Sequence, residues 1–245
     1  VYFDETDSTN TRARKLAEEG APHGTLVVAD RQTAGKGRRG KSWVSPAGTG
    51  IWMSMVLRPS MSPMSASMLT LIAGLAVVRG VKESTGLETM IKWPNDAVLN
   101  GKKICGILTE MSTEVECIRY VIPGIGINVN MDGFPEEIKA TATSLKLEAG
   151  RSIKRSLVIA AVADNFEYYY DIFMKTCDMS GLRDDYNKSL VNLGREVLVL
   201  DPRGQYKGKA LGIDGEGSLL VRREDGNVSA VISGEVSVRG IYGYV

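Results

Sequence analysis

The chain has 245 residues, is 43% hydrophobic, and sets 30 Lys and Arg against 29 Asp and Glu for a formal charge of +1. That length allows one large domain with a full core and a small second one. The balanced charge excludes a surface built to coat nucleic acid or an anionic membrane.

Residues 1–5 alternate weakly and predict a strand, and Asp7-Ser-Thr-Asn10 offers N-cap candidates for a helix to about Glu19, ended by Gly20 and Pro22. His23, the one histidine, lies in a Gly-Ala-Pro-His-Gly turn and reads as a solvated turn residue, so triad hydrolysis and histidine metal sites are not expected. Residues 25–29 and 51–57 predict strands joined by a long, glycine-rich polar loop. From Ser65 to about Glu83 apolar positions cover most of a helix circumference, which predicts a buried helix, too short and too charged at its end to span a bilayer. Asn100-Gly101 between two apolar runs predicts a hairpin that carries Lys103 just beyond its turn. A strand is expected over 118–129, interrupted by Gly124 and Gly126, and an amphipathic helix over 154–173. Near Asn192 the pattern changes to short strands (196–200, 207–213, 218–221, 229–232, 236–239) separated by Asp-Gly and Gly turns, predicting a small β-barrel. The expected division is a mixed α+β domain over 1–191 and a β domain over 192–245. Cys105, Cys117 and Cys177 form no CxxC motif or disulfide framework and suit a reducing cytoplasm; no leader pattern or membrane span is predicted.

Two segments carry chemistry. Gly35-Lys-Gly-Arg-Arg-Gly-Lys-Ser42 satisfies both the dinucleotide and the Walker A glycine spacings, but each of those needs a helix starting at the last glycine. Pro46 and Gly48 oppose that helix. What remains is a loop in which Lys36, Arg38, Arg39 and Lys41 repel one another and the glycines let backbone amides approach an anion. It is expected to order around a phosphate-bearing ligand. Lys92-Trp-Pro-Asn-Asp96 sets a cation, a large aromatic and a carboxylate on a segment that Pro94 keeps from being helical. Read singly, Trp93 is a core anchor, and Lys92 and Asp96 a surface ion pair. With the basic loop, the cations suit a reaction that brings a carboxylate to a nucleotide phosphate.

With these residues in view the sequence resembles the biotin protein ligase family. The resemblance rests on Ser8-Thr-Asn10, the Gln32 to Gly40 loop, Lys92 to Asp96, Lys103 to Glu110, Gly124 to Asn130 and a Gly234 to Arg239 end. It implies a synthetase-like catalytic domain with a helix-flanked mixed sheet, followed by an SH3-like β-barrel. It further implies biotin and ATP as substrates, Mg²⁺ accompanying the ATP, and a carrier-protein lysine as acceptor. Ser8, Thr9 and Gln32 would bind the ureido ring, with Gly106, Gly124 and Gly126 walling the bicycle; Asn10, Gly35, Lys36 and Gly37 would also belong to the biotin site, Lys36 with a pyrophosphate or ATP contact as well. Arg38 and Lys103 would hold the carboxylate and then the adenylate phosphate, with Lys92 as a third catalytic cation. Trp43 would cover the ligand, Asn128 would meet the adenine, and Arg39, Asn95 and Asp96 would serve the nucleotide, Asp96 also as the metal ligand. The family commonly has arginine where Lys36 stands, so a two-pronged contact is lost there. Homodimers occur in the family. Some members begin with a DNA-binding helix-turn-helix; this sequence starts in the catalytic segment, and DNA binding is not expected of it. Lipoate or octanoate attachment, or a regulator that only binds biotin, are the competing readings.

Overall fold

The computed structural model describes residues 1–114, 117–201, 204–233 and 237–240. In chain order the first half contains β1 (Tyr2–Thr6), α1 (Thr9–Glu18), β2 (Thr25–Gln32), β3 (Gly50–Val56), α2 (Pro63–Ala66), α3 (Leu69–Thr85), β4 (Met90–Lys92), β5 (Asp96–Leu99), β6 (Lys102–Glu114) and β7 (Cys117–Asn128). There follow α4 (Glu136–Lys139), α5 (Leu145–Ala149), α6 (Arg155–Phe173), α7 (Arg183–Ser189), β8 (Glu196–Asp201), β9 (Gly204–Ile213), β10 (Leu219–Arg223), β11 (Val228–Val231) and β12 (Ser237–Gly240). Strands β1 to β7 form one sheet in the order β1-β2-β3-β7-β6-β5-β4, and β8 to β12 a second in the order β11-β10-β9-β8-β12. Among these strands only β1 and β2 pair in parallel, and the second sheet is antiparallel throughout. The expected α+β class and strand-rich tail are both present. Of the Gly234 to Arg239 motif, residues 234–236 lie outside the described residues.

Strand alternation decides which side of the large sheet each residue serves. In β3, Ile51, Met53 and Met55 join the main core with α3 and α6, while Val56 joins a smaller cluster with Ala13 and Ala17 of α1. The sheet therefore lies between α1 and the α3–α6 pair. A Cβ on Gly80 would stand 2.7 Å from the Val162 nitrogen, so α3 and α6 meet backbone to backbone. The predicted hairpin forms at Asn100 and Gly101, both left-handed at φ 50° and 77°, as its two-residue turn requires.

The helix expected from Ser65 instead begins at Pro63, where Ser62 accepts from the Ser65 amide, and breaks at residues 67–68 before α3. The expectation that it is too short for a bilayer is corrected: Pro63–Thr85 spans 23 residues and contains an 18-residue window with a mean hydropathy of 1.7, long and apolar enough to cross a membrane. Burial of 72% of that apolar window inside the fold makes it the core helix.

The two sheets join at Trp93. Its amide donates to Asn192 Oδ1 at 3.1 Å and its indole Nε1 to the Gly217 carbonyl at 3.0 Å, with the side chain 1% exposed. Its role is the core anchor, as read for the residue alone. Trp93→Phe keeps the packing but strands that buried carbonyl, and should lower the unfolding free energy by about 1–3 kcal/mol. Urea titration checks this; an unchanged midpoint and slope would remove the joint's energetic importance.

Candidate active site

On the α1 side of the sheet, register builds a flat floor. Trp52 of β3 pairs with Gly126 of β7, Gly126 with Gly106 of β6, and Gly106 with Asp96 of β5, in one transverse row. The next row toward α1 sets Ser54, Gly124 and Leu108 side by side. Two adjacent glycines leave a trough, and the Trp43 indole lies in it. A Cβ on Gly106 would meet Trp43 at 2.8 Å, and one on Gly126 would meet Nε1 at 2.8 Å. That Nε1 is buried with no hydrogen-bond partner among the described residues.

The basic loop is a hairpin excursion from β2. Gln32 bridges to Ser45 at its base and Lys36 to Ser42 further out, and the Trp43 amide donates to the Gly35 carbonyl at 2.8 Å. Gly35 is required there, since a Cβ would stand 2.3 Å from the Trp43 carbonyl oxygen. Residues Arg38–Gly40 make one tight helical turn with Arg39 left-handed, and Lys41 is already extended at ψ 146°. No helix follows Gly40, so the dinucleotide and Walker A readings are excluded by geometry.

One cavity collects residues from separate segments: Ser8, Thr9, Asn10, Gln32, Lys36, Gly37, Arg38, Trp43, Asn95, Lys103, Gly106, Gly124 and Gly126. Arg38, half-buried, donates from Nη1 to Asn95 Oδ1 at 2.7 Å, and Asn95 donates to the Ile107 carbonyl. Burial and the neighbouring Arg39 charge lower the Arg38 pKa from its ordinary value, with Asp96 opposing. Lys103 is held between Asp96, 2.6 Å from its Nζ, and the Trp43 ring, 5.2 Å from Nζ to the centroid. Its backbone is fixed as well, donating to Thr141 and accepting from Thr143.

At the far end of the cavity, Thr9 N–H donates to Gln32 Oε1 at 2.8 Å, and Gln32 Nε2 to Ser45 Oγ at 2.8 Å. Asn10 Nδ2 donates to Glu110 at 2.7 Å and to the Leu108 carbonyl. Ser8 is the N-cap of α1 but makes no side-chain cap bond, so the reading of Ser8 and Thr9 as simple caps is set aside. Ser8 instead lines the cavity and Thr9 turns to Gln32.

Some expected residues stand outside the cavity. Gly35 shapes the loop from within, Arg39 is exposed, and the Asn128 amide donates to the Thr143 carbonyl at 3.2 Å. Lys92 and Asp96 are not among the cavity's lining residues, and Asp96 Oδ1 stands 2.6 Å from the Nζ of the lining Lys103. Lys92 is 6% exposed, and burial, reinforced by Lys103 and Arg239 and opposed by Asp96, brings its pKa down to about 8. Sequence reasoning misses Ser54, 0% exposed, and gives Glu110 no role. The signal for Ser54 is a lone hydroxyl inside the apolar run of β3. His23 sits in its exposed turn as expected, its Nδ1 accepting from the Arg58 amide.

A mixed sheet with a glycine trough, a cationic loop above it and an amide- and hydroxyl-lined end defines a ligase that couples a small carboxylic acid to a nucleotide. The biotin/lipoate A/B protein ligase family matches residues 2–128, and the biotin protein ligase C-terminal domain matches residues 193–239. The bifunctional ligase/repressor BirA of Bacillus subtilis is 43% identical over 97% of this chain and 73% of its own length. A biotin–[acetyl-CoA-carboxylase] ligase of Paracoccus denitrificans is 34% identical over 89% of this chain and 91% of its own. The structure of an Aquifex aeolicus biotin protein ligase in complex with biotin and ATP superposes with a TM-score of 0.86, at 34% identity and 98% coverage of each chain. The chain belongs to the biotin protein ligase family.

Proposed function

We propose that the chain activates biotin with ATP to biotinyl-5'-AMP and transfers the biotinyl group to a lysine of a biotin carboxyl carrier domain. A biotin carboxylate oxygen attacks the α-phosphorus, the bond to the β-phosphate breaks, and pyrophosphate leaves. The carrier ε-amine then attacks the acyl carbon, AMP departs, and the amine loses a proton. The observation that carries this reading is the convergence of Arg38 and Lys103, from two distant segments, on one trough closed by Thr9, Asn10 and Gln32. No enzyme nucleophile is needed; positioning, charge and exclusion of water from the anhydride suffice. The polar end favours biotin over lipoate or octanoate, whose chains want an apolar tunnel.

Asp96, whose carboxylate stands 2.6 Å from the Nζ of the cavity-lining Lys103, is the oxygen donor that would hold a Mg²⁺ arriving on the triphosphate, with water completing its shell. The ion would supply neutralising charge to the phosphates. Residues 1–191 would form the catalytic domain and 192–245 the second. We further assign the protein to a reducing cytoplasm, supported by its three free cysteines. The decisive assay is transfer of labelled biotin to a biotinyl-domain lysine with ATP, run beside lipoate. Absence of biotin transfer, or preference for lipoate, overturns the reading.

Lys92 gives this reading a pH signature. Its cationic form attracts phosphate, and that form is lost above about pH 8. The kcat/KM for ATP should therefore decline as pH rises through about 8. Lys92→Arg keeps its charge throughout and should remove that decline up to about pH 9.5. Superimposable profiles would show that Lys92 does not act on the nucleotide.

A further inference from the structure

We propose that Ser54 is a positioning residue that orients the Thr9 hydroxyl as a hydrogen-bond acceptor, so that this end of the cavity selects a ligand bearing N–H donors. The inference rests on the biotin reading and goes on to name what in the protein makes the choice.

Ser54 Oγ lies 2.6 Å from Asn10 Oδ1 and 2.8 Å from Thr9 Oγ1. One hydroxyl proton cannot serve both fully, so the rest of the network decides where it goes. Asn10 Nδ2 faces the Glu110 carboxylate at 2.7 Å and the Leu108 carbonyl at 3.2 Å, which can only accept. The amide is therefore fixed with Oδ1 toward Ser54, and an amide oxygen can only accept as well. Ser54 O–H goes to Asn10, its nearer partner, and the contact with Thr9 is made by the Thr9 proton. The same logic runs from the other side. Ser45 Oγ donates to the Trp43 carbonyl at 3.0 Å and so accepts from Gln32 Nε2, which aims Gln32 Oε1 at Thr9.

The outcome is a pair of oxygens, Thr9 Oγ1 and Gln32 Oε1, 3.2 Å apart, with the threonine proton drawn away from the pair toward Ser54. Gln32 Oε1 already accepts from the Thr9 amide at 2.8 Å, which leaves it one lone pair that, with the Thr9 hydroxyl oxygen beside it, can take up an N–H placed between them. A ureido ring offers such a donor; the dithiolane of lipoate offers none. Gly124 keeps the arrangement compact, since a Cβ there would collide with Asn10 Oδ1. Ser54 touches no ligand in this scheme, because it lies below Thr9 at 0% exposure.

The test compares wild type, Ser54→Ala, Thr9→Val and the double variant, using biotin, ATP and lipoate as probes. Freed of its anchor, the Thr9 hydroxyl turns its proton toward Gln32. Ser54→Ala should then raise the KM and Kd for biotin about 10- to 100-fold. The KM for ATP should move less than about threefold, and the affinity for lipoate should not fall. On the Thr9→Val background the same substitution should cost little more, the mark of action through one partner. Unchanged biotin affinity, equal losses for biotin and ATP, or additive losses in the double variant would overturn the proposal. If Ser54→Ala does not fold, Ser54→Cys, which retains a weak donor, decides by the same split. Failure of wild type to use biotin sinks the functional reading itself. Normal use of biotin by both wild type and Ser54→Ala sinks only this inference.

Discussion

Lys103→Ala should abolish most adenylate formation, with pyrophosphate release falling about 10²- to 10³-fold. Lys103 stands at the second paired position after the hairpin turn, opposite Val98, and its backbone is hydrogen-bonded on both sides, to Thr141 and from Thr143. The ammonium needs little reorganisation to meet an anion, because Asp96 and the Trp43 ring already hold it at the trough's edge. Coupling a carboxylate to a phosphate presses two anions together, and a cation at about 4 Å is worth roughly 4 kcal/mol at an effective dielectric near 20, before desolvation costs. Removing it also leaves the half-buried Asp96 carboxylate without the lysine and facing the incoming phosphates, so the loss exceeds that of a solvent-exposed charge. The check is the first half-reaction alone, measured as pyrophosphate exchange into ATP with biotin present. Transfer from chemically made biotinyl-5'-AMP to a carrier fragment should suffer less than activation does. Equal losses in the two steps would mean that Lys103 holds the acyl group throughout and does not favour the first step.

Elements whose signal is local are legible in the amino-acid sequence alone. The Asn100-Gly101 hairpin and the amphipathic pattern of α6 depend on neighbours in sequence, and both form within a residue or two of expectation. The basic loop reads as neither of its mimics because Pro46 and Gly48 forbid the helix both require. The trough is only half legible. Gly106, Gly124 and Gly126 stand out in the sequence, but the alignment of Gly106 and Gly126 with Trp52 and Asp96 is a matter of strand register across four strands, and spacing along one strand does not reveal it. Trp93 shows the same limit, since its indole partner Gly217 stands 124 positions away. Family pattern points Asn128 at a ligand, whereas the fold turns its amide to Thr143. Ser54 is the instructive omission. A buried hydroxyl in an apolar strand must find partners, and its partners are two of the residues that the sequence motifs already single out.

Arg38→Ala should slow activation and also change what happens after the adenylate forms. The guanidinium is tethered by Asn95, which is itself tied to the Ile107 carbonyl beside the trough, so Arg38 links the basic excursion from β2 to the fixed floor. Burial and Arg39 both disfavour its charge while no anion is present, which is the condition under which an incoming phosphate gains most from pairing with it. The alanine variant loses that pairing and the strap that draws the loop over the ligand. Activation should fall about 10²-fold, and the adenylate should escape into solution at least about tenfold faster than from wild type. Released biotinyl-5'-AMP, trapped by free lysines, would then appear as indiscriminate biotinylation of a bystander protein such as albumin. Asn95→Ala separates the two roles, since it leaves the charge and removes the tether. It should increase leakage while activation falls less than in Arg38→Ala. If Arg38→Ala slows activation yet retains its adenylate as wild type does, Arg38 acts as a phosphate cation alone and the loop is closed by other contacts.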